Sequence, residues 1–187
     1  VGAIWQEQAV LLAADGEAGD QFGISVSING NFAFVGAHRD DNANGPFAGA
    51  VYVFERSGEN WTQREKIIAG DGAFDDQFGG AISSAGARLI IGAPGVNERL
   101  GAAYVYHESG GDWLFVNKLG ASDAVQGDAF GQSVGIDGDY AIAGAATNDG
   151  GGVTDAGAAY VLVFNGASWV QQSKLVSGSM ILDGAFG

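Results

Sequence analysis

One spacing pattern constrains the fold of this 187-residue chain more than any other feature. A Phe-Gly pair begins at Phe22, Phe78, Phe130 and Phe186, and a Trp precedes each of these Phe residues by 17 positions. Both series advance by 56, 52 and 56 residues. A fixed period of about 50 residues indicates a repeat architecture, in which each unit folds alike and packs against its neighbours.

Each repeat has the pattern of four short strands, which we name A to D in chain order. In the first repeat, residues 24–28 alternate in hydrophobicity, Asn29-Gly30 predicts a tight turn, and residues 32–35 form the second strand. Strands C and D are predicted at 50–54 and 61–67, and the other repeats carry counterparts. Four antiparallel strands in about 50 residues are typical of one β-propeller blade, so we predict an all-β propeller fold.

Further landmarks follow each Phe-Gly pair. Gly-Ala begins 14 residues after the Phe, at Gly36, Gly92 and Gly144, and the second copy reads Gly-Ala-Pro. A Gly-Ala-x-Tyr-Val segment comes next, beginning at Gly49 in the first repeat. This combination resembles the FG-GAP repeat, which builds the propeller of integrin α chains and of many secreted bacterial and fungal proteins. The resemblance implies a ring of six to eight blades and an extracellular or cell-surface location.

The register of the landmarks divides the chain. Residues 1–21 are predicted to hold strand D of a preceding repeat, followed by repeats at 22–77, 78–129 and 130–185 and the start of a fourth at 186–187. That amounts to about three and a half blades. Because closed propellers usually have about four to eight blades, we expect a segment of a larger ring. The alternative is self-assembly of short chains through open blade edges.

Composition excludes several classes of function. The formal net charge is −14, with 22 acidic against 8 basic residues, which opposes binding to the phosphates of nucleic acid. No apolar run approaches the roughly 20 residues that cross a bilayer, so no membrane span is predicted. The chain has no Cys, which excludes disulfides and thiolate metal sites within it.

Strand order predicts that the negative charge is concentrated at one end of the blades. In an antiparallel blade the D–A and B–C connections lie at one end, which we name the loop face, and the A–B and C–D turns lie at the other. The loop-face connections contain 14 of the 22 acidic residues but only Arg39 and Arg99 among the bases. These acids are Asp15, Glu17, Asp20, Asp40, Asp41, Asp71, Asp75, Asp76, Glu98, Asp123, Asp128, Asp149, Asp155 and Asp183.

The D–A connections carry candidate calcium ligands. An Asp recurs seven and two residues before the Phe of three Phe-Gly pairs, and calcium takes six to eight oxygen ligands. The candidates are Asp15, Asp20, Asp71, Asp75, Asp76, Asp123 and Asp128, and no other cofactor is predicted. The alternative is a local turn in which each Asp accepts hydrogen bonds from nearby backbone N–H groups. Calcium sites of the resembled family use an acidic A–B loop, whereas Asn29-Gly30-Asn31 occupies that place in the first repeat.

The B–C connections carry candidate partner-binding residues. They alone differ in length between repeats, and loops on a rigid scaffold commonly carry binding residues. The candidates are Asp40, Asp41, Asn42, Asn44, Asn97, Glu98, Asn148, Asp149 and Asp155. An acidic surface of this kind fits a cationic partner, and an ordinary solvated loop is the alternative.

Catalytic motifs have little support. Residues 131–135 match Gly-x-Ser-x-Gly, but that motif needs a strand–turn–helix context, and the register places Ser133 on strand A. His38 and His107 lack a second His at metal-binding spacing. The recurring Trp residues are interpreted as packing between blades, with a sugar-stacking platform as the alternative.

These observations predict a non-catalytic extracellular binding or scaffold module with an acidic face for adhesion-like binding to a protein, assisted by calcium. One alternative is a carbohydrate-binding propeller similar to fungal propeller lectins, in which Phe47 or Phe74 would contact a glycan. Another is the accessory propeller of a larger secreted enzyme.

Overall fold

The computed structural model describes residues 4–149 and 153–177. In this part of the chain, three four-stranded antiparallel sheets follow one another, each with its strands in sequence order. Blade 1 contains β1 (Val26–Asn29), β2 (Phe32–Ala37), β3 (Ala50–Ser57) and β4 (Asn60–Ile67). Blade 2 contains β5 (Ala81–Ala85), β6 (Arg88–Ala93), β7 (Ala102–Ser109) and β8 (Asp112–Leu119). Blade 3 contains β9 (Ser133–Asp137), β10 (Tyr140–Ala145), β11 (Ala158–Phe164) and β12 (Trp169–Leu175).

The predicted all-β fold and the A-B-C-D strand order are confirmed. Strand A of the first repeat starts at Val26 rather than Ile24, because the N–H of Ile24 donates to Gln21 O in a turn. One short helical element, α1 (Val96–Arg99), lies in the B–C connection of blade 2. Its Asn97, Glu98 and Arg99 have φ of 50°, 57° and 69°, so it is a left-handed turn rather than an amphipathic helix.

The N-terminal segment differs from the prediction. Residues 4–25 contain no strand, and Trp5 is 98% exposed, although the register predicts strand D there. In each of the three blades strand D pairs with strand C of its own sheet. No described residue supplies a strand C for this segment, so its backbone has no ladder to join. The predicted start of a fourth repeat at 186–187 lies outside the described residues.

The blades pack face to face through alternating side chains. In β6, Leu89 and Ile91 lie in a core shared with blade 1, whereas Ile90 lies in a second core shared with blade 3. This alternation is the period of two that a strand imposes when both faces of its sheet are covered. Strand A of blade 2 contacts strand A of both neighbours, so the blades converge at their first strands.

Aromatic residues of the repeat fill the space between blades. Phe78 is fully buried, and its ring meets that of Tyr104 edge to face at a centroid distance of 5.3 Å. Trp113 of strand D in blade 2 packs edge to face on Phe34 of blade 1, at 4.9 Å. Trp169 is likewise buried, in the core between blades 2 and 3. The interpretation of the recurring Trp as an inter-blade packing residue is confirmed at these two positions.

The glycines of the motif form the tightest contact between blades. The N–H of Gly79, in the Phe-Gly pair of blade 2, donates to Gly92 O of the same blade at 3.0 Å. A Cβ atom at Gly92 would overlap the backbone carbonyl oxygen of Gly131, in the Phe-Gly pair of blade 3. Gly36 stands in the same relation to Gly79. A Gly is therefore required at positions 36 and 92, because the next blade's backbone occupies the place of a side chain there.

We predict that Gly92→Ala destabilises the fold by roughly 1–3 kcal/mol, the usual cost of forcing extra volume into a packed site. The obstacle is backbone, which cannot rotate away as a flexible side chain can. Gly120→Ala is the matched control, because its Cβ would meet no atom within 4 Å. Urea denaturation followed by circular dichroism measures both variants, and equal stability of the two would contradict the assignment.

Candidate functional site

The loop face is built jointly by neighbouring blades. The N–H of Gln77, in the D–A connection, donates to Phe47 O in the B–C connection of blade 1 at 3.1 Å. The same contact recurs one blade later, where the N–H of Ala129 donates to Arg99 O at 2.8 Å. These hydrogen bonds place the D–A and B–C connections at the same end of the blades, as predicted, and join them into one surface.

An ion-paired cluster recurs in that surface. The first recurring Asp of each D–A connection binds the Lys near the end of strand D in the blade that follows, at Nζ–Oδ2 distances of 2.6–2.8 Å. Each Nζ also lies 5.1–5.4 Å from the ring centroid of a Tyr on strand C, a cation–π distance. The three Asp–Lys–Tyr clusters are Asp15/Lys66/Tyr52, Asp71/Lys118/Tyr104 and Asp123/Lys174/Tyr160.

These clusters shift the pKa values of their members. The hydrogen bond from Lys174 lowers the pKa of Asp123, to which the hydroxyl of Tyr160 also donates at 2.8 Å. Burial lowers the pKa of Lys66, but hydrogen bonds with Asp15 and Asp40 outweigh it and raise that pKa overall. The carboxylates are therefore held ionised by their own chain, and each cluster ties a D–A connection to the blade that follows it.

We predict that Lys174→Met destabilises the fold at neutral pH by at most about 1 kcal/mol, because both partners remain partly exposed to water. A carboxyl group with a lowered folded-state pKa stabilises the fold above its unfolded pKa and loses that contribution as the pH falls through the folded value. The stability difference between the wild type and the variant should therefore shrink as the pH falls below the ordinary Asp value of 3.8 and through the lowered folded-state value. Thermal unfolding across this range measures it, and a difference independent of pH would contradict the ion pair.

The second recurring Asp of each D–A connection has a different role. Asp20, Asp76 and Asp128 are buried, and each accepts a hydrogen bond at 2.7–2.8 Å from the backbone N–H three residues earlier. Burial raises the pKa of Asp76, and the backbone N–H of Ala73 opposes this. The local-turn interpretation therefore describes these three side chains.

The predicted calcium ligands are thus divided among three environments. Three lie against lysines, three lie in buried turns, and Asp75 is exposed with Gln77 Nε2 donating to its Oδ1 at 2.9 Å. Among residues 4–149 and 153–177, no three His, Cys, Asp or Glu side chains are grouped so that they could hold a metal ion. Calcium binding by these residues stays a prediction.

The B–C candidates also separate into buried and exposed residues. Asp40 is 1% exposed and accepts hydrogen bonds from the hydroxyl of Tyr52 at 2.8 Å and from Asn42 Nδ2 at 3.1 Å. Asn148 stands at the corresponding position of repeat 3, and its Nδ2 donates to Asp128 at 2.7 Å. Asn44 Nδ2 donates to the backbone oxygen of Ala69 at 2.7 Å. These candidates stabilise the loops from within.

Other B–C candidates face solvent. Asp41 and Asp149 stand at corresponding positions, and each Oδ1 accepts a hydrogen bond from the backbone N–H six residues later, at 2.9 and 3.1 Å. Asn97 and Glu98 are exposed on the left-handed turn α1, and Asp155 is exposed in repeat 3. Within the described part of the chain, six exposed loop-face acids take part in no ion pair: Glu17, Asp41, Asp75, Glu98, Asp149 and Asp155.

Sequence reasoning missed the part played by the lysines. The chain has three Lys residues, and all of them lie five residues after a Trp and reach the loop face. They add three positive charges to the loop face. The count made from the sequence left these out, because it included only residues of the D–A and B–C connections. The signal that could have found them was this invariant spacing, in the same repeats that carry the recurring Asp.

The remaining motifs are the Gly-x-Ser-x-Gly segment and the histidines. Ser133 is the first residue of β9, which turns directly into β10, so the strand–turn–helix context of a nucleophilic serine is missing at this position. Burial lowers the pKa of His38, and its Nδ1 is buried without a hydrogen-bond partner in the described structure.

Three consecutive blades, joined by close backbone contacts at Gly36 and Gly92 and by repeated Asp–Lys–Tyr clusters, define a propeller-type repeat module. The sequence matches the FG-GAP repeat over residues 5–54, 61–106 and 113–162, which is more than half of the chain. The chain belongs to the FG-GAP repeat family. Each matched range ends within a strand C, so the second and third matches each supply strand D of one blade and strands A to C of the next.

A search of curated proteins found no sequence that matches this chain. None of the helical segments in the described ranges has the length and apolar character needed to cross a bilayer.

Proposed function

We propose that this chain is a non-catalytic, extracellular binding module that presents its acidic loop face to a cationic protein partner in an adhesion-like interaction. The observation that carries the proposal is the division of the loop-face acids. The recurring acids are engaged by lysines or buried turns, whereas the six exposed acids named above have no cationic partner among the described residues.

The exposed acids are also held in a rigid frame. Asp41 and Asp149 fix the conformation of their own B–C loops through backbone N–H groups, and the loop of Asp41 is joined to the next D–A connection. A charged side chain that is already ordered loses less conformational entropy when a partner binds. The face thus combines uncompensated charge with preorganisation, which favours a specific cationic surface over diffuse attraction.

We predict that Asp41→Asn combined with Asp149→Asn weakens binding of a labelled lysine-rich peptide by about 0.2–1 kcal/mol per removed charge. Asn keeps the oxygen that accepts the loop N–H, so the loops should stay folded. Fluorescence anisotropy at low and physiological salt measures the affinity.

The matched control is Glu59→Gln combined with Asp137→Asn, which removes the same charge from exposed residues at the opposite end of the blades. The control should bind almost as the wild type does. If both variants lose the same affinity, the peptide responds to the net charge of the protein alone, which would contradict a defined binding face.

Calcium assistance is a narrower part of this proposal. Asp71 and Asp76 line one cavity of about 370 Å³ together with Glu98 and Lys118. A calcium ion there would compete with the ammonium group of Lys118, which binds Asp71 at 2.6 Å. Calcium can therefore bind at this site only if the ammonium group of Lys118 moves away from Asp71.

We predict that millimolar calcium raises the melting temperature of a Lys118→Met variant more than that of the wild type, because the variant frees the Asp71 carboxylate. Magnesium is the control ion, since it demands a stricter octahedral geometry. An unchanged melting temperature in both proteins would remove calcium from the proposal.

One observation favours the carbohydrate-binding alternative. Phe47 and Phe74 are exposed on the loop face, with their ring centroids 6.4 Å apart, and Arg39 lies over the Phe47 ring. Exposed aromatic rings can stack on the apolar face of a sugar. Retention of a glycan that depended on either Phe would support this alternative over a cationic protein partner.

A further inference from the structure

A groove on the outer rim lies between blades 1 and 2. Its volume is about 630 Å³, within the range of about 300–1,000 Å³ that is usual for ligand sites. The end of β4 and residues 68–71 form one wall, and Tyr104, Tyr106 and residues 113–115 form the other. Most of these side chains are apolar or aromatic.

The repeats show what normally closes such a groove. Two residues after the Trp of strand D, repeats 1 and 3 have Gln63 and Gln171. Gln63 Oε1 accepts a hydrogen bond from the backbone N–H of Ala14 at 2.9 Å, and Gln171 Oε1 accepts one from that of Ser122 at 3.0 Å. In both repeats a Gln side chain on strand D therefore binds the D–A connection that enters its own blade.

Repeat 2 lacks this hydrogen bond. Phe115 stands at the Gln position, and its side chain is 58% exposed. Gly70, which corresponds to Ala14 and Ser122, makes no hydrogen bond through its N–H within the described residues. The exchange of Gln for Phe thus leaves an open groove with a free backbone donor on one wall and an exposed aromatic ring on the other.

A second difference between the repeats leaves another hydrogen-bond donor, the indole N–H of Trp113, without a partner. The indole N–H of Trp61 donates to Gln8 Oε1 at 2.9 Å. The corresponding partner of Trp113 is Arg64, which has no acceptor, and the indole nitrogen of Trp113 is buried without a hydrogen bond. Trp113 is 4% exposed and lines the groove. An unsatisfied buried donor costs free energy that a ligand oxygen can recover.

The rim beside the groove is apolar where the equivalent rim of blade 1 is polar. Leu114, Phe115 and Val116 are consecutive and exposed on the edge strand β8. The corresponding residues of β4 are Thr62, Gln63 and Arg64. Exposed apolar patches of this kind mark interaction surfaces.

Of the two carboxylates that line the groove, Asp71 is bound by Lys118 and Glu65 has no ion pair among the described residues. Glu65 is half-buried on the groove wall and accepts a hydrogen bond from Trp113 N at 3.3 Å. Burial raises its pKa. The nearby cations are engaged elsewhere. Lys66, which also lines the groove, binds Asp15 and Asp40. Arg64 binds Glu55 and Asp112, and Lys118 binds Asp71. A cationic group is therefore the complement that this site lacks.

We propose that the groove binds a peptide segment of a partner protein that inserts an aromatic or large aliphatic side chain against Phe115 and places a Lys or Arg beside Glu65. A peptide carbonyl can accept the N–H of Gly70. A sugar is disfavoured, because its many hydroxyl groups need more polar side chains than this lining offers. The bulge of β8 near Val116 opposes simple addition of a strand at this edge. This rim site does not depend on the function proposed for the loop face.

The test uses the full chain and a synthetic peptide array in which Phe or Leu is flanked by Lys, Arg, Ser or Glu. We expect retention of the peptides with basic flanks. Phe115→Gln restores the residue of the other two repeats, and it should weaken the best peptide by about tenfold or more, as the loss of a central anchor does. Phe74→Gln, the same exchange at an exposed Phe of the loop face, should leave its affinity unchanged. Glu65→Gln should abolish the preference for basic over Ser flanks.

The folded state of each variant is checked by its melting temperature, and Phe115→Gln should match or exceed the wild type because Gly70 gains an acceptor. Absence of any retained peptide, or equal affinity of the Phe115→Gln variant, would overturn the proposal. Retention of glycans from a parallel array in a Phe115-dependent manner would also overturn it, in favour of a sugar site.

Discussion

The close approach of the backbones of neighbouring blades at Gly36 and Gly92 is the constraint on which the rest of the structure depends. At Gly36 and Gly92 the next blade's carbonyl oxygen occupies the space where a side chain would be. This approach sets the distance between blades, and that distance decides which side chains fill the cores, with Phe78 and Trp113 bridging the gap. A propeller segment of this kind is stabilised because neighbouring sheets cover one another's apolar faces.

The repeat separates structural residues from functional candidates. A residue that recurs in every unit meets a need that every unit has, and the Asp–Lys–Tyr clusters and the buried turns of Asp20, Asp76 and Asp128 are of this kind. Residues that break the pattern have no such explanation. Glu98 on a left-handed turn and Phe115 in place of Gln are exposed and specific to one repeat. Departures from the repeat are therefore a better guide to binding than its recurring acids.

Much of the fold could be predicted from sequence, because strand order and the loop face follow from register alone. The partners of the recurring Asp residues could not, because Asp15 and Lys66 are 51 residues apart and no local pattern joins them. The rim groove was also missed, since it arises from the absence of one glutamine whose hydrogen bond to the D–A connection only the structure shows. Trp5 carries the signal of a strand, but the strand needs a partner that the described residues do not supply.

Carboxyl footprinting by mass spectrometry tests the central claim most directly, since it reports the accessibility of every Asp and Glu in one experiment. For the chain alone, we expect slow labelling of Asp20, Asp40, Asp76 and Asp128 and fast labelling of Asp41, Glu98 and Asp149. On addition of the lysine-rich peptide, the fast group should become protected while Glu59 and Asp137 stay reactive. Equal labelling of the two groups in the free chain, or protection confined to Glu59 and Asp137, would contradict the account.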